Sequence, residues 1–280
     1  MDYDNLLLLS IQAAVIAGVE ILDVYDTKFS VEYKDDKSPL TLADKKSHEI
    51  ISSKLTPTGI PVLSEEGRQV DYEERRQWKR LWIVDPLDGT KEFVKRNGEF
   101  TVNIALVEHG KPVLGVIYAP VTKTLYFAGN DQNAYRLEYS KTTMPLAVDD
   151  EGQKKGRLLN ELISRAEKLP AKSSAQASLT IVGSRSHVTP ALESYVAKMR
   201  EKYSDVKFVS AGSSLKFCRV AEGEADIYPK LGPTMEWDTA AGQVIAEHSG
   251  ASVLVYDTNE PLTYNREDLL NPWYIVRRKT

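Results

Sequence analysis

Several kinds of residue are scarce in this chain of 280 residues. Cys218 is the only cysteine, which excludes a disulfide or a thiolate metal cluster within the chain and fits a reducing compartment. We expect it to be a small core residue. There is also no basic excess, because 36 lysines and arginines stand against 40 acidic residues, for a formal net charge of −4. This balance argues against a general nucleic-acid-binding protein, which needs a basic surface.

Long apolar segments are missing as well. The run from Leu6 to Val19 is interrupted by Ser10 and Gln12 and is too short to span a bilayer, so we expect no transmembrane segment. The first residues contain neither a basic region nor a small-residue cleavage site, and we expect no secretory signal. These features predict a cytoplasmic protein, with peripheral attachment to the inner face of the cell membrane left open.

The residues that are present have the composition of an ordinary globular protein, with 42% hydrophobic and 27% charged side chains. Apolar residues at helical spacing predict a long helix from Tyr3 to about Tyr25 and a second from Thr41 to Leu55. Further helices are predicted at 157–168, 189–202 and 238–248, and strands at 60–63, 81–85, 101–107, 113–118, 125–128, 134–137, 179–182, 206–210, 225–228, 251–255 and 273–276.

Two charged segments stand out between these elements. Residues 68–80 read as a surface loop or helix whose basic side chains face solvent. Residues 147–177 read as a junction with an inserted surface element, to which we assign no role. We therefore expect an N-terminal α+β domain over 1–147 and a C-terminal α/β domain over 148–280.

The most informative stretch runs from Leu81 to Thr90. Its first four residues predict a buried strand that stops at Asp85, because Pro86 has no N–H and forces the chain to turn. Asp88 adds a second carboxylate three residues later, and two such carboxylates at a strand end repel each other unless a cation lies between them. Oxygen ligands of this kind suit Mg²⁺, Mn²⁺ or Ca²⁺ rather than zinc.

The residues after Asp88 allow two interpretations. If Gly89 and Thr90 open a short helix, their backbone N–H groups could bind a phosphate. Alternatively, the stretch is a strand, a turn and a helix cap, because Asp-Gly pairs and capping aspartates are common. The spacing alone leaves both interpretations open.

A resemblance favours the first interpretation. Asp85-Pro86-Leu87-Asp88-Gly89-Thr90 resembles the DP(I/L)DGT signature of the inositol monophosphatase superfamily of Mg²⁺-dependent, lithium-sensitive phosphatases. Two further segments match in the same order, Leu63-Ser64-Glu65-Glu66 upstream and Glu236-Trp237-Asp238-Thr239-Ala240-Ala241-Gly242 downstream. The run from Asp85 to Asn103 most resembles the bacterial CysQ-type 3'(2'),5'-bisphosphate nucleotidases. The implied fold is a layered αβαβα sandwich.

The resemblance also implies roles for individual residues. Thr90, oriented by Asp44, would take a proton from an attacking water, which Glu65 would help to position. Two or more Mg²⁺ ions would be held by Glu65, Asp85, the carbonyl of Leu87, Asp88 and Asp238. Substrate contacts would come from Glu65, Leu87, Asp88, Gly89, Thr90, His187, Ser213, Lys216, Lys230 and Asp238. Many relatives have arginine at the position of Lys230, and a lysine keeps the charge but loses the bidentate fork.

Two of these aspartates also have a purely structural interpretation. Thr41 and Asp44 have the spacing of a capping box, so that Asp44 could simply stabilise the first turn of its helix. Asp238 lies at the expected start of the last helix, where a carboxylate is favoured by capping and by the helix dipole.

The function implied by the resemblance is hydrolysis of adenosine 3',5'-bisphosphate to AMP and phosphate, with 3'-phosphoadenylyl sulfate as a plausible second substrate. An inositol or sugar phosphatase on the same scaffold is the nearest alternative. A non-catalytic relative that senses metal or phosphate is a third, but it predicts a lost ligand or a lost Asp–Thr pair, and the sequence retains both. We expect a monomer rather than a dimer, with a small-molecule substrate and no nucleic-acid partner.

Overall fold

The computed structural model describes residues 1–28, 30–33, 39–138, 152–170, 178–184 and 189–278. Its helices are α1 (Tyr3–Tyr25), α2 (Leu42–Leu55), α3 (Tyr72–Arg75), α4 (Thr90–Val94), α5 (Gly152–Arg165), α6 (Pro190–Lys202), α7 (Leu215–Ala221) and α8 (Ala240–His248). Single-turn 3₁₀ helices lie at Thr56–Thr58 and Glu236–Asp238. The strands are β1 (Val31–Tyr33), β2 (Pro39–Thr41), β3 (Val62–Ser64), β4 (Arg80–Asp88), β5 (Thr101–Glu108), β6 (Lys111–Ala119), β7 (Thr124–Ala128), β8 (Ala134–Glu138), β9 (Glu167–Lys168), β10 (Ser178–Gly183), β11 (Asp205–Ser210), β12 (Ile227–Lys230), β13 (Ala251–Val255) and β14 (Tyr274–Arg278).

Two sheets of unequal size organise the chain. The larger has the strand order β3-β4-β5-β6-β7-β8-β9, in which β3 and β4 pair in parallel and the other neighbours are antiparallel. The smaller has the order β11-β10-β12-β14-β13, with parallel pairs on both sides of β10. Strands β1 and β2 form a separate hairpin-like pair ahead of α2.

The helices alternate with the sheets in five layers, because successive side chains of a strand point to opposite faces of its sheet. Along β4, Trp82 and Val84 pack into the core under α1, α2 and α5. Leu81 and Ile83 face the other way, into a second core shared with α7, α8 and the smaller sheet. Helix α6 covers the outer face of that sheet. The predicted αβαβα class is therefore confirmed.

Helix α1 is long and apolar enough to cross a membrane by length and composition, with a hydropathy of 1.9 over its most apolar window. The sequence analysis considered only the run from Leu6 to Val19, and it therefore missed that the whole helix has the length of a membrane span. However, 67% of that window is buried inside the protein, as in the core helix of a soluble fold.

Strand β4 is longer than predicted. It continues past Asp85 to Asp88, and its register with β5 shifts between these two residues. The irregularity accommodates Pro86, because a bulged residue needs no partner in the sheet ladder. Ser47 of α2 supports the bulge, since its hydroxyl donates to the Pro86 carbonyl at 2.6 Å.

The segment between the two sheets belongs to the larger one as far as residue 168. Leu159 and Leu162 of α5 pack in the core with α1, and β9 pairs with β8. The helix predicted at 157–168 thus begins and ends earlier, at Gly152–Arg165. The chain first enters the smaller sheet at residue 178, while the division at 147/148 stays a prediction.

Candidate active site

The site begins where β4 ends and α4 starts. Gly89 lies between them with a φ of +92°, a conformation that residues with a side chain rarely adopt, and α4 begins at Thr90, as the first of the two interpretations requires. A Cβ atom at Gly89 would lie 3.2 Å from the Glu99 carbonyl and equally close to Ser213. This close approach lets the turn that carries Asp88 fit against the neighbouring loops.

Three carboxylates from both halves of the chain meet here. Asp85, Asp88 and Asp238 each offer an oxygen within 4.8 Å of the others. Asp85 is 1% exposed, and burial together with Glu65, Asp88 and Asp238 raises its pKa well above the usual range. Burial and the neighbouring Asp88 also raise the pKa of Asp238, to about 8.

This donor set fits a hard divalent cation. A cation between these carboxylates would offset the repulsion that raises the pKa values of Asp85 and Asp238, and Mg²⁺ binds to carboxylate oxygens. Glu65 lines the same cavity from the end of β3, where its N–H donates to the Val84 carbonyl at 3.1 Å. The Leu87 carbonyl is 3.4 Å from the Thr90 hydroxyl, and the Leu87 N–H donates to Asp85 at 3.0 Å.

The two carboxylate oxygens of Asp44 make different contacts, one with the cap of its own helix and the other with Thr90. Its Oδ2 accepts bonds from the Thr41 N–H at 2.7 Å and the Thr41 hydroxyl at 2.6 Å, which completes the capping box of α2. Its Oδ1 accepts a bond from the Thr90 hydroxyl at 3.2 Å. Burial raises the pKa of Asp44, while the bonds from Thr41 and Thr90 act in the opposite direction.

A hydroxyl and an amide that the sequence analysis missed hold Asp88. The Ser214 hydroxyl lies 2.6 Å from Asp88 Oδ2 and 3.0 Å from the Asp238 carbonyl. The Asn103 side-chain amide donates to Ser214 at 2.8 Å and to Asp88 at 3.3 Å. Ser214 is adjacent to the predicted Ser213, but its partners Asp88 and Asn103 lie more than 100 residues away in sequence, so no local pattern identifies it.

A cavity of about 500 Å³ is lined by Glu65, Asp85, Asp88, Thr90 and Asp238, and also by the predicted lysines. Lys216 and Lys230 both border it, together with Ser213, which has a φ of +40°. Lys216 is buried, donates to the Ser213 carbonyl at 2.6 Å and lies over the Tyr228 ring at 5.7 Å from its centroid. Burial lowers the pKa of Lys216 to about 8 and also lowers that of Lys230. A bound anion would raise both pKa values again, because it stabilises the charged form of each lysine.

The predicted site residue His187 lies outside the residues that the structure describes. Asp238 does not begin the last helix, because α8 starts at Ala240 and Asp238 ends the 3₁₀ turn before it. Its Oδ2 accepts the Met235 N–H at 2.8 Å, so the carboxylate still caps a turn, but a different one.

With this geometry established, sequence comparison identifies the family. Residues 2–276 match the inositol monophosphatase family. The chain belongs to that family. Its members are generally Mg²⁺-dependent, which agrees with the carboxylate cluster.

Within the inositol monophosphatase family, the chain is similar to proteins named 3'(2'),5'-bisphosphate nucleotidase CysQ. The protein from Salmonella typhimurium is 44% identical over 271 residues, which cover 95% of this chain and 96% of that relative. The protein from Escherichia coli K12 is 43% identical over the same length and coverage of this chain. These relatives confirm the predicted family and the predicted enzyme class, a phosphoric monoester hydrolase.

Solved structures agree. The crystal structure of CysQ from Bacteroides thetaiotaomicron, a bacterial member of the family, has a TM-score of 0.85 and 50% sequence identity to this chain, covering 97% of this chain and 96% of its own. SuhB from Bartonella henselae, at 22% identity and a TM-score of 0.68, shares the fold.

Proposed function

We propose that this protein is a Mg²⁺-dependent, lithium-sensitive 3'(2'),5'-bisphosphate nucleotidase that hydrolyses adenosine 3',5'-bisphosphate to AMP and phosphate. The observation that carries the proposal is the composition of one cavity, in which a carboxylate cluster shares the walls with the buried Lys216 and the partly buried Lys230. One phosphate would lie at the carboxylates with the metal, and the lysines would bind the other. The nucleotidase names of the most similar relatives support the same substrate class.

The residues that would hold Mg²⁺ are Glu65, Asp85, Asp88 and Asp238, with the carbonyl of Leu87. The bound ions would lower the pKa of a water molecule and neutralise charge on the phosphate. We propose two or more ions, because a single dication does not balance four carboxylates.

Thr90 and Asp44 would move the proton. The Thr90 hydroxyl donates to Asp44 Oδ1, so its oxygen lone pairs remain able to accept a proton from a water in the cavity. Asp44 is held in place by Thr41, which fixes the direction of the Thr90 hydroxyl. Glu65, from the opposite wall, would help to orient the same water.

Backbone and side-chain donors would bind the substrate's phosphates. The N–H groups of Gly89 and Thr90 lie at the turn into α4 and would stabilise charge on the transferred group. Ser213, Lys216 and Lys230 border the other part of the cavity and would bind the remaining phosphate. An inositol or sugar monophosphate has one phosphate fewer and leaves the two lysines without a phosphate to bind.

The test is phosphate release from adenosine 3',5'-bisphosphate and, in parallel, from inositol 1-phosphate, with Mg²⁺ and then with added Li⁺. We expect Li⁺-sensitive release from the nucleotide and little from the inositol ester. Preference for the inositol ester would keep the metal site but contradict the assignments of Ser213, Lys216, Lys230 and His187. Release from neither would contradict the proposed function.

We also propose that the protein acts as a cytoplasmic monomer.

A further inference from the structure

Arg75 is a buried cation that contacts residues 265–267. Its side chain belongs to α3, in the connection that leaves Glu65 and leads to β4, and only 3% of the residue is exposed. The sequence predicted that this segment would turn its basic side chains to solvent, which is wrong for Arg75. We infer that Arg75 is a positioning residue for Asp238 and acts through segment 264–271 and Glu236.

The first step is the contact between Arg75 and segment 264–271. Its guanidinium donates to the carbonyls of Arg266 and Glu267, the latter at 2.7 Å, and to the Asn265 side-chain oxygen at 3.3 Å. The Asn265 amide returns a bond to the Arg75 carbonyl at 2.6 Å. Because a guanidinium presents its donors in a rigid plane, these contacts fix the path of the segment.

The second step leads from that segment to Glu236, which is 0% exposed. Its Oε2 accepts the Asn265 N–H at 2.7 Å, and its Oε1 accepts the Arg266 N–H at 3.0 Å. A buried carboxylate requires such donors, and both come from residues that Arg75 holds. The Arg266 side chain adds an ion pair to Glu236 at 3.3 Å.

The third step leads from Glu236 to Asp238, because both lie in the same 3₁₀ turn. The Glu236 N–H donates to the Leu269 carbonyl at 3.0 Å. Met235 contacts both sides: its N–H donates to Asp238 Oδ2, and its carbonyl accepts a bond from the Asn271 side chain at 2.7 Å. The turn that presents Asp238 to the cavity is therefore held at several points by segment 264–271.

This arrangement gives Arg75 a role that is distinct from general stability. It links the connection after Glu65 to the turn that presents Asp238, and it thereby fixes the carboxylate from the C-terminal half relative to those from the N-terminal half. The inference rests on the proposed function in one respect, which is that Asp238 is a metal ligand. Loss of Arg75 should weaken metal binding while the fold remains.

The test compares Arg75→Gln with Arg136→Gln in the purified full-length protein. Arg136 also links the two halves, through an ion pair at 2.9 Å to the buried Glu222, and has no contact with segment 264–271 among its hydrogen bonds and ion pairs in the described residues. Mn²⁺ binding is measured by titration of the metal-free protein, and thermal unfolding of the same samples reports stability. We expect Arg75→Gln to weaken Mn²⁺ binding by about tenfold, as for other residues that orient metal ligands, and Arg136→Gln to leave it unchanged.

Two further variants make the result decisive. Arg75→Lys should recover part of the affinity, because a lysine keeps the charge but cannot satisfy all of the acceptors. Glu236→Gln places an amide N–H₂ where a backbone N–H needs an acceptor, so it should weaken Mn²⁺ binding similarly. This second variant decides the question if Arg75→Gln does not fold.

Unchanged Mn²⁺ affinity in folded Arg75→Gln or Glu236→Gln would overturn the inference, and so would equal weakening in Arg136→Gln. Mn²⁺ titration needs no substrate. A wild-type protein that binds Mn²⁺ but hydrolyses no nucleotide would therefore contradict the proposed function and leave this comparison intact.

Discussion

One carboxylate oxygen of Asp44 accepts a hydrogen bond from the Thr90 hydroxyl at 3.2 Å, while the other accepts hydrogen bonds from Thr41 in the cap of helix α2. The structural and catalytic interpretations of this aspartate therefore do not compete. The cap immobilises the carboxylate, and the free side of that carboxylate then fixes the Thr90 hydroxyl. A residue whose side chain is already constrained by its own helix loses little entropy when it orients a second group.

Asp44→Asn tests the second of these contacts. An asparagine can keep its oxygen on Thr41, but it then turns an N–H₂ group towards Thr90, so the hydroxyl loses its acceptor. We expect kcat for phosphate release to fall by about a hundredfold or more, with a stability loss below about 1 kcal/mol. Asp2→Asn, at the cap of α1, is the matched control and should change neither. An unchanged kcat would show that Asp44 acts only as a helix cap.

Asp85→Asn should make the metal-free protein more stable. The change removes a buried charge that repels Asp88 and Asp238, while the asparagine oxygen can still accept the Leu87 N–H. We expect the metal-free Tm to rise by about 2 °C or more, and the further rise on adding Mg²⁺ to be lost. Thermal unfolding with EDTA and with Mg²⁺ measures both.

The control for this change is Asp226→Asn, in which the aspartate accepts the Thr180 N–H at 2.8 Å in the smaller sheet, outside the carboxylate cluster. It should leave the response to Mg²⁺ intact. A lower metal-free Tm in Asp85→Asn would show that the contacts of the Asp85 carboxylate stabilise the metal-free protein more than repulsion within the cluster destabilises it.

Ser214→Ala should weaken metal binding without removing a metal ligand. The hydroxyl is the contact between Asp88 and the Asp238 backbone, and its loss leaves Asp88 with the longer bond from Asn103. We expect about tenfold weaker Mn²⁺ binding in a titration. Ser249→Ala removes another buried serine, bonded to the Ala246 carbonyl, and should leave Mn²⁺ binding unchanged. Equal effects of both variants would contradict the assignment.

Lys216 should make substrate binding depend on pH. Burial lowers its pKa to about 8, so the ammonium is charged below that pH and neutral above it. Because a phosphate binds the charged form, KM for adenosine 3',5'-bisphosphate should be flat below about pH 8 and rise above it. Lys216→Arg stays charged and should lose this rise, whereas Lys216→Met should have a high KM throughout. If KM rises in the same way in Lys216→Arg, the rise belongs to the titration of another group.

Local patterns in the sequence were sufficient for most helices and strands, whereas the predicted roles of Asp85, Asp88 and Thr90 came from the family resemblance, and the structure places these three residues around one cavity. The hairpin between β5 and β6 shows why, because His109 and Gly110 take the positive φ angles that a tight turn requires. The end of β4 was missed because a bulge allows Pro86 inside a strand, and its support from Ser47 comes from a different helix. Because Ser47 lies 39 residues from Pro86, the residues next to the proline do not indicate this hydrogen bond.

The errors at the site have the same cause. Arg75 looks like a solvated charge until residues 265–267 are placed beside it, about 190 positions later in the chain. Ser214 looks like part of a small-residue turn until Asp88 and Asn103 are brought to it. Motif matching finds groups that act on a ligand, whereas the groups that hold them depend on tertiary contacts.

The layer of α7 and α8 has a consequence for how this chain can be recombined. Gly115 of β6 lies so close to α8 that a Cβ atom there would be 2.5 Å from the Ala241 carbonyl, and α8 also packs on β13 of the smaller sheet. A fragment ending near residue 170 would leave Leu81 and Ile83 without their cover. Chimaeras between relatives should therefore exchange the helical layer together with both of its sheets, because a crossover placed between the sheets divides one shared core.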